Sequence, residues 1–351
     1  MRGPLAGVRV VELGGLGPVP FAGMTLAGMG ADVLRVARPG GDPFFGGREE
    51  SDLLNRGKRL EVIDLKSETE RARCLDILAD ADIVLEGHRP GVAERLGLGP
   101  EDVAARNERV VYGRMTGWGQ DGPRSREAGH DINYIALTGA LDAIGTPDGP
   151  VVPLNVVGDF GAGSLYLVAG VLAALHQARA TGRGDVVDAA IVDGTAHLLS
   201  GVHSWMASDR WEPRRGGNLI DGGAPSYAVY RTSDDLHVAV GALEGPFFEA
   251  LKAGLGLEWS GDHLDPGRWD ELRPLVADCF AARTRDEWVE VFAGTDACVT
   301  PVLGLTEAAD DEHMSARGSL HRRDGRVEAG PAPRFLRSGN PELARPPVPT
   351  R

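Results

Sequence analysis

Cysteine is scarce in this chain of 351 residues, which has only Cys74, Cys279 and Cys298 and no C-x-x-C pair. An odd number of widely spaced cysteines indicates neither a disulfide framework nor a zinc site. No other spacing of His, Asp or Glu typical of a metal site is found, so we expect no bound metal. The N-terminus lacks the apolar core of a secretory signal, and the expected location is the cytoplasm.

Long apolar runs and net positive charge are also lacking. No uninterrupted apolar run approaches the about 18–20 residues that a membrane-spanning helix needs, so no membrane association is expected. Lys and Arg total 37 against 51 Asp and Glu, which gives a formal net charge of −14. Nucleic-acid backbones need a basic surface, and an acidic chain of this kind is not expected to bind them.

The common signatures of nucleotide binding and hydrolysis are absent too. The first turn, GGLGPVPFAG, does not match G-x-G-x-x-G. The acidic ribose residue expected about 20 residues later is replaced by the arginine-containing stretch VLRVARP, so NAD binding is not expected. The sequence has neither a P-loop nor a G-x-S-x-G nucleophile elbow.

Basic residues are nevertheless concentrated in one part of the chain. Seven lie between positions 35 and 66, and two arginines follow: Arg35, Arg38, Arg48, Arg56, Lys58, Arg59, Lys66, Arg89 and Arg95. A local basic patch on an acidic protein suits a small polyanion better than a nucleic acid. The alternative is a solvated surface.

Apolar, strand-like runs alternate with helical segments through the first half of the chain. The predicted strands span 7–13, 31–39, 59–65, 82–87, 109–117 and 185–194. This alternation predicts an α/β fold with a mostly parallel, Rossmann-like sheet. Residues 159–184 are apolar nearly all round and predict a long buried helix that ends near Gly182.

Shorter helices are indicated by their first residues. Ser67 and Glu70 have the spacing of a capping box. Pro90 and Pro100 are each predicted at the first position of a short helix, where proline is favoured.

The domain organisation is predicted from a change in composition and hydrophobic pattern after position 200. We predict a large domain at 1–200, a linker at 201–224 and a small α+β domain at 225–305. In the small domain, YAVYRT and HVAVGAL alternate as an antiparallel hairpin would. The tail, 306–351, is expected to return to the large domain.

Three titratable side chains border apolar segments, where a polar group is costly unless it caps, pairs or reacts. His130 opens the segment HDINYIALTGAL, Asp159 is expected at the N-cap of the long helix, and Glu244 follows an apolar strand. Taken singly, each has an ordinary explanation: a hydrogen-bonded histidine, a helix cap and an exposed carboxylate at a strand end. The neighbouring Asp131 is expected to be a cap or a hydrogen-bond anchor.

Together these stretches resemble a known family. In order along nearly the whole chain, VRVVELGGLGPVPFAGMTLAGMGADVLRV, LLNRGKRLEVIDLK, EGHRPGVAERLGLGP, RMTGWGQDGP, GHDINYIALTGAL, NVVGDFGAGS, DGGAPSYAVYRT and VGALEGPFF resemble motifs of the family III CoA-transferase superfamily. Within it, the chain is similar to the branch of acyl-CoA racemases.

The resemblance implies inversion of the 2-methyl centre of acyl-CoA thioesters through an enolate, part of lipid and fatty-acid metabolism. It implies that His130 and Asp159 exchange protons with opposite faces of the substrate and that Glu244 orients or charge-tunes His130. A helix N-terminus beside Asp159 is expected to supply hydrogen-bond donors to the enolate oxygen. Coenzyme A is then part of the substrate, and no separate cofactor is expected.

The resemblance also implies residues that contact CoA and a quaternary structure. The predicted substrate contacts are Arg38, Asn55, Lys58, Arg89, Arg95 and Asp131. The family architecture implies an interlocked homodimer in which Glu244 reaches the partner subunit's His130, so that the two subunits share each active site.

Two other functions remain open from the sequence. In a family III CoA-transferase, an aspartate at the place of Asp159 would attack the thioester. Against this, His130 fills a position where that mechanism needs no base, and GALEGP lacks the run of glycines that covers the transferase intermediate. The third possibility is a catalytically idle protein that binds CoA thioesters.

Overall fold

A computed structural model describes residues 3–40 and 52–347, so Arg48 lies outside the described residues. The strands are β1 Arg9–Leu13, β2 Asp32–Ala37, β3 Arg59–Val62, β4 Ile83–Glu86, β5 Val111–Thr116, β6 Gly145–Thr146, β7 Gly149–Pro150, β8 Val186–Ala190, β9 Tyr227–Arg231, β10 His237–Gly241, β11 Val299–Pro301, β12 Leu320–Arg323 and β13 Arg326–Ala329. The α-helices are α1 Pro18–Gly28, α2 Glu68–Ala79, α3 Val92–Arg95, α4 Pro100–Ala104, α5 Asp131–Leu137, α6 Ala140–Ala143, α7 Leu165–Thr181, α8 Ile191–Leu198, α9 Ser200–Ala207, α10 Gly245–Leu255, α11 Trp269–Ala281, α12 Arg285–Phe292 and α13 Glu312–Ala316.

The six predicted strands up to residue 194 form one parallel sheet in the order β3-β2-β1-β4-β5-β8. Its central strands are apolar because helices cover both faces, and every residue of β4 is buried. The predicted α/β class is confirmed. The strand order reverses between β1 and β4, and ligands of such sheets bind in the crevice beyond the carboxyl ends of the strands at this point.

The chain divides into two compact units. The first comprises 1–138, 153–199 and 328–351, and the second comprises 139–152 and 200–327. Compared with the predicted boundaries, residues 139–152, the predicted linker 201–224 and residues 306–327 of the tail fall in the second unit. In the first unit the end of the chain packs back onto earlier elements, because Gly57 N donates to Ala344 O (2.8 Å) and Asn340 Nδ2 donates to Gly28 O (2.9 Å).

The second unit contains the predicted hairpin. Strands β9 and β10 pair antiparallel, and β11 pairs with the other edge of β10. Helices α10, α11 and α12 contribute to its core, in which Phe280 packs against Tyr230, Trp288 and Phe292.

Two of the three short-helix predictions agree with the structure. Ser67 Oγ accepts a hydrogen bond from Glu70 N (3.4 Å) at the start of α2, although Ser67 N donates to Asp64 O (2.9 Å) and the reciprocal half of the capping box does not form. Helix α4 begins at Pro100. The prediction for Pro90 is wrong, because Gly91 follows it with φ 81° and the helix begins only at Val92. A positive φ of this kind is reached readily by glycine alone.

The long apolar helix runs from Val156 to Thr181 and ends, as predicted, at Gly182 (φ 77°). Its first nine residues, Val156–Ser164, are π-helical and are called the π segment below. By length and composition this helix could cross a membrane, which corrects the expectation that no apolar element reaches that length. The predicted burial is only partly confirmed: Leu167 and Val171 lie in the core beside the sheet, whereas Val156 and Leu165 are exposed.

Candidate active site

His130 and Asp159 line one cavity of about 610 Å³ in the first unit. The cavity lies where the chain leaves the carboxyl ends of β1, β4 and β5, and segments 15–19, 87–90 and 115–118 contribute to its wall. We call it the His130 cavity. The fold therefore brings together two titratable residues that are 29 positions apart in sequence, at the place where α/β sheets bind ligands.

His130 is the N-cap residue of α5. Its backbone N–H donates to Asn133 Oδ1 (3.0 Å), and its ring Nδ1 lies 2.7 Å from Gly129 O. A carbonyl oxygen can only accept, so this contact assigns the hydrogen to Nδ1 and makes Nε2 the nitrogen for proton exchange. The hydroxyl of Tyr134 donates to the same carbonyl oxygen. The ring is thus held in one tautomer at the start of a helix.

Asp159 lies inside the π segment, and not at the predicted N-cap, because the helix begins earlier and Asn155 occupies the cap. Its Oδ2 accepts a hydrogen bond from Asn155 Nδ2 (3.3 Å). The pKa of Asp159 is raised to about 6, mainly by burial and also by the charge of Asp131, against the opposing effects of the hydrogen bond from Asn155 and of His130. A carboxyl group with this pKa can both take and give a proton near neutral pH.

Asp131 joins α5 to the π segment. Its Oδ1 accepts a hydrogen bond from Asp159 N (2.7 Å), and its side chain is buried, which raises its own pKa. A Cβ atom on Gly158 would lie 2.3 Å from this oxygen, so the contact requires glycine there. The N–H of Asp159 is therefore engaged within the protein; the expectation that the helix N-terminus beside Asp159 supplies donors to an enolate stays a prediction.

The start of α1 closes the cavity on the side of the Asp159 carboxylate. Gly17 has φ 62° and ψ −96°, and a Cβ atom on it would lie 3.2 Å from Asp159 Oδ2. The rings of Phe21 and Phe160 stack with centroids 4.5 Å apart and hold α1 against the π segment. Because these contacts involve backbone and rings, Asp159 lies on a rigid element.

Aromatic and aliphatic side chains form the rest of the wall. Trp118 and Tyr134 pack edge to face with centroids 4.7 Å apart. A Cβ atom on Gly117 would overlap the Tyr134 ring, so glycine is required beside it. With Met115 and Ile191, these residues give the cavity an apolar surface suited to a hydrocarbon chain.

A second cavity, of about 650 Å³, lies in the same unit at the carboxyl ends of β1, β2 and β3. Arg35, Arg38 and Lys66 line it together with Asp64, and we call it the Arg38 cavity. Of the predicted CoA-binding residues, Arg38 lines this cavity and Arg89 lines the His130 cavity. Arg95 is exposed at the end of α3 and is among the lining residues of neither.

Two predicted phosphate contacts are buried inside the first unit. The Lys58 side chain is fully buried, and its Nζ donates to Glu12 Oε2 (2.6 Å), Pro20 O (2.9 Å) and Asn55 Oδ1 (3.1 Å). Burial lowers the pKa of Lys58, against the opposing effect of Glu12. Since both Lys58 and Asn55 bond within the protein, we assign them to an internal ion-pair network and not to the phosphates.

Glu244 lies in the second unit. It is exposed and is the N-cap residue of α10. Its predicted action on His130 stays a prediction. In the described part of the chain, no group of three or more His, Cys, Asp or Glu side chains could hold a metal ion.

The sequence-based reasoning missed one titratable residue of this region, His88. It follows β4 and lines both the His130 cavity and the Arg38 cavity. Behind it, the fully buried Glu86 bonds to Arg114. The signal was present in EGHRPG, where polar residues follow an apolar strand next to the reversal in strand order.

Comparison with known proteins identifies the family. The model of "CoA-transferase family III" matches residues 5–351. The chain belongs to this family. The resemblance seen in the sequence is therefore confirmed, and the whole α/β unit that carries His130 and Asp159 falls within the matched family region.

Three relatives in this family are similar over most of their length. Human alpha-methylacyl-CoA racemase is 44% identical over 336 residues, 95% of this chain and 86% of the relative. Acetyl-CoA:oxalate CoA-transferase of Acetobacter aceti is 30% identical, with 94% of this chain and 88% of the relative covered. The crystal structure of a CAIB/BAIF family protein from Brucella suis superposes with a TM-score of 0.84 at 25% identity, covering 99% of this chain and 97% of that one.

Proposed function

We propose that this protein is an isomerase that inverts the configuration of 2-methylacyl-CoA thioesters. The observation that carries the proposal is that His130 and Asp159 line one cavity with an apolar wall. The identity of 44% to human alpha-methylacyl-CoA racemase supports the racemase over the transferase, whose relative from Acetobacter is 30% identical.

The reaction moves one proton off C2 and another onto its opposite face. The Asp159 carboxylate removes the C2 proton, and the electrons of the C–H bond move into the thioester carbonyl to form an enolate. The His130 imidazolium then protonates C2 from the other face through Nε2. Asp159 ends protonated and His130 neutral, which is the state that catalyses the reverse direction.

The enolate oxygen needs hydrogen-bond donors. The N–H of Asp131, the first of α5, has no acceptor within the helix, whereas Asn133 N already donates to His130 O (2.8 Å). Asp131 follows His130 directly in the cavity wall. We assign the stabilisation of the oxygen to this backbone.

The acyl chain is proposed to occupy the apolar part of the His130 cavity. The nucleotide of CoA is proposed to bind in the Arg38 cavity, because the arginines there suit phosphate groups. Coenzyme A is then part of the substrate, and neither a cofactor nor a metal takes part. We further propose a cytoplasmic homodimer with active sites shared between subunits, acting in fatty-acid metabolism without nucleic-acid or membrane partners.

Incubation of the enzyme with one epimer of a 2-methylacyl-CoA in D₂O tests the reaction. We expect one deuterium at C2, measured by mass spectrometry, and conversion to an equal mixture of epimers, measured by chiral separation after hydrolysis. Binding of the thioester with neither exchange nor transfer would identify an idle binder and refute the proposal.

Two substitutions test the residues. His130→Ala and Asp159→Asn are each expected to lower kcat at least ~100-fold, because general acid–base groups contribute about that much or more, with CoA affinity little changed. His176→Ala, at an exposed histidine that lines neither cavity, is the matched control and should retain full activity.

A transferase would give a different result with the same protein. If Asp159 attacked the thioester, CoA would pass to an added free carboxylate and hydroxylamine would trap the acyl group on Asp159. Transfer of this kind without deuterium exchange at C2 would replace the proposed function by the transferase.

A further inference from the structure

His88 is the one titratable side chain shared by the two cavities in the part of the chain that the structure describes. The residues common to both linings are Gly15, Leu16 and His88. A thioester with its nucleotide in the Arg38 cavity and its reacting carbon in the His130 cavity has to cross from one to the other. His88 therefore lies where the connecting part of such a molecule passes.

The His88 ring lies beside a buried carboxylate. Its Nδ1 lies 3.3 Å from Glu86 Oε2, an ion-pair distance without hydrogen-bond alignment, and its backbone N–H donates to the same oxygen (2.7 Å). Glu86 is fully buried, and Arg114 Nε donates to its other oxygen (2.8 Å). Arg114 also pairs with Glu94 (2.7 Å), so the carboxylate behind the ring is itself fixed.

The other ring nitrogen lies on the side of the β1 loop. His88 Nε2 is 3.9 Å from the place that a Cβ atom on Gly14 would occupy. Three residues further along the same loop, Gly17 borders the Asp159 carboxylate. Three residues of chain span at most about 11 Å, so one extended CoA arm can reach from Asp159 to His88. His88 also lines the Arg38 cavity together with Arg35 and Arg38, where the nucleotide is proposed to bind, and it therefore lies where the arm meets the phosphates.

We infer that His88 binds the phosphate attached to the pantetheine arm of the substrate, with Nδ1 directed to Glu86 and Nε2 to a phosphate oxygen. An imidazolium has an N–H on both nitrogens and can make both contacts at once. This inference rests on the proposed function, since it assumes a CoA thioester bound across both cavities. It adds a binding residue that the sequence-based assignment of arginines and lysines did not include.

Kinetics with truncated thioesters test the inference. The substrates are one 2-methylacyl group carried on CoA, on 4′-phosphopantetheine and on pantetheine. The variant His88→Phe keeps a ring but removes the donor. We expect it to raise KM about tenfold for the two phosphate-bearing thioesters, because the lost contact is a hydrogen bond to a charged group. The value of kcat should stay within about twofold. The KM for the pantetheine thioester should not change.

Two other patterns would overturn the inference. An equal rise in KM for all three thioesters would mean that His88 contacts the amide-bearing arm, and no rise for any would mean that it contacts nothing. His176→Phe, which lies outside both cavities, is the matched control. Because exchange by the wild-type protein is measured in parallel, failure of the proposed function itself is recognised separately.

Chemical modification of the wild-type protein gives a second readout that does not depend on folding of a variant. Diethyl pyrocarbonate modifies accessible histidines, and His88 is partly exposed. We expect CoA and 4′-phosphopantetheine to protect His88, as measured by peptide mass spectrometry, and pantetheine to leave it reactive. Protection by none of the three, or by pantetheine as well, would contradict a phosphate contact.

Discussion

At the scale of single residues, the site depends on how Asp131 and Asp159 are placed together. Two carboxyl groups near each other resist simultaneous ionisation, and burial adds to that resistance. The protein offsets part of the cost with hydrogen bonds from Asn155 to Asp159 and from the Asp159 backbone to Asp131. The result is a carboxyl group that changes protonation close to the pH at which a histidine also does.

This arrangement predicts the pH dependence of catalysis. In the proposed reaction, the pair of Asp159 and His130 holds one proton in total, whichever epimer is the substrate. As the pH falls through about 6, protonation of the Asp159 carboxylate, whose pKa is raised, gives the pair a second proton, and kcat/KM should then fall about tenfold per pH unit for either epimer. Rates of deuterium exchange measured between pH 4.5 and 8 from each epimer check this.

The substitution Asp131→Asn tests the cause of the raised pKa. The amide oxygen can still accept from Asp159 N, whereas the negative charge that raises the pKa of Asp159 is gone. The acid limb of the pH profile, which is the fall in kcat/KM below about pH 6, should therefore move to lower pH. Asp148→Asn, at an exposed aspartate outside the cavity, should leave the limb in place. An unshifted limb in Asp131→Asn would leave burial as the sole source of the pKa shift.

At the scale of elements, the site depends on close packing around the π segment. Helix α8 lies against it so tightly that a Cβ atom on Gly194 would come 2.1 Å from Ala162 O. The obstacle is backbone, which cannot rotate away as a side chain can. The wider turns of the π segment place Asp159 between α1, α5 and α8, where a regular helix over the same residues would rotate it to another face.

Gly194→Ala is expected to force α8 away from the π segment. We predict a loss of ~1–3 kcal/mol in the free energy of unfolding, the usual cost of overpacking, together with lower activity because Asp159 moves. Thermal unfolding and exchange rates measure the two effects. Gly201→Ala is the matched control, since nothing lies within 4 Å of a Cβ atom there and alanine favours the helix; similar losses in both variants would contradict this account.

At the scale of the whole molecule, the proposed homodimer gives Glu244 its function. Glu244 is the exposed N-cap residue of α10 in the second unit, and in the proposal it acts on the partner subunit's His130. An exposed carboxylate that works only across an interface can be tested by combining two inactive variants in one dimer.

Co-expression of His130→Ala and Glu244→Ala subunits with different tags provides that test. A heterodimer with shared sites contains one intact site and should have about half the wild-type activity, whereas either homodimer has none. Activity of the purified heterodimer is the measurement. If it stayed as inactive as the two homodimers, His130 and Glu244 would have to act within one subunit.

Much of the fold was predictable from local pattern. Alternating apolar strands and helices required a parallel sheet covered on both faces, and the six predicted strands form it. Gly182 ended the long helix as expected, because glycine alone adopts a left-handed φ without strain. Where local preference failed, as for Pro90, the following Gly91 had the stronger effect on the backbone.

The sequence by itself determined the fold class, the family and the presence of a histidine and an aspartate at the edges of apolar segments. Tertiary structure alone decided that Lys58 is buried beside Glu12 while Arg38 lines a cavity. It also decided that Asp159 lies within the helix and not at its cap, and that His88 lines both cavities. Local pattern depends on the intrinsic preferences of neighbouring residues. Burial, pKa and the pairing of distant charges depend on which elements pack together, and that information is carried by no single stretch of the chain.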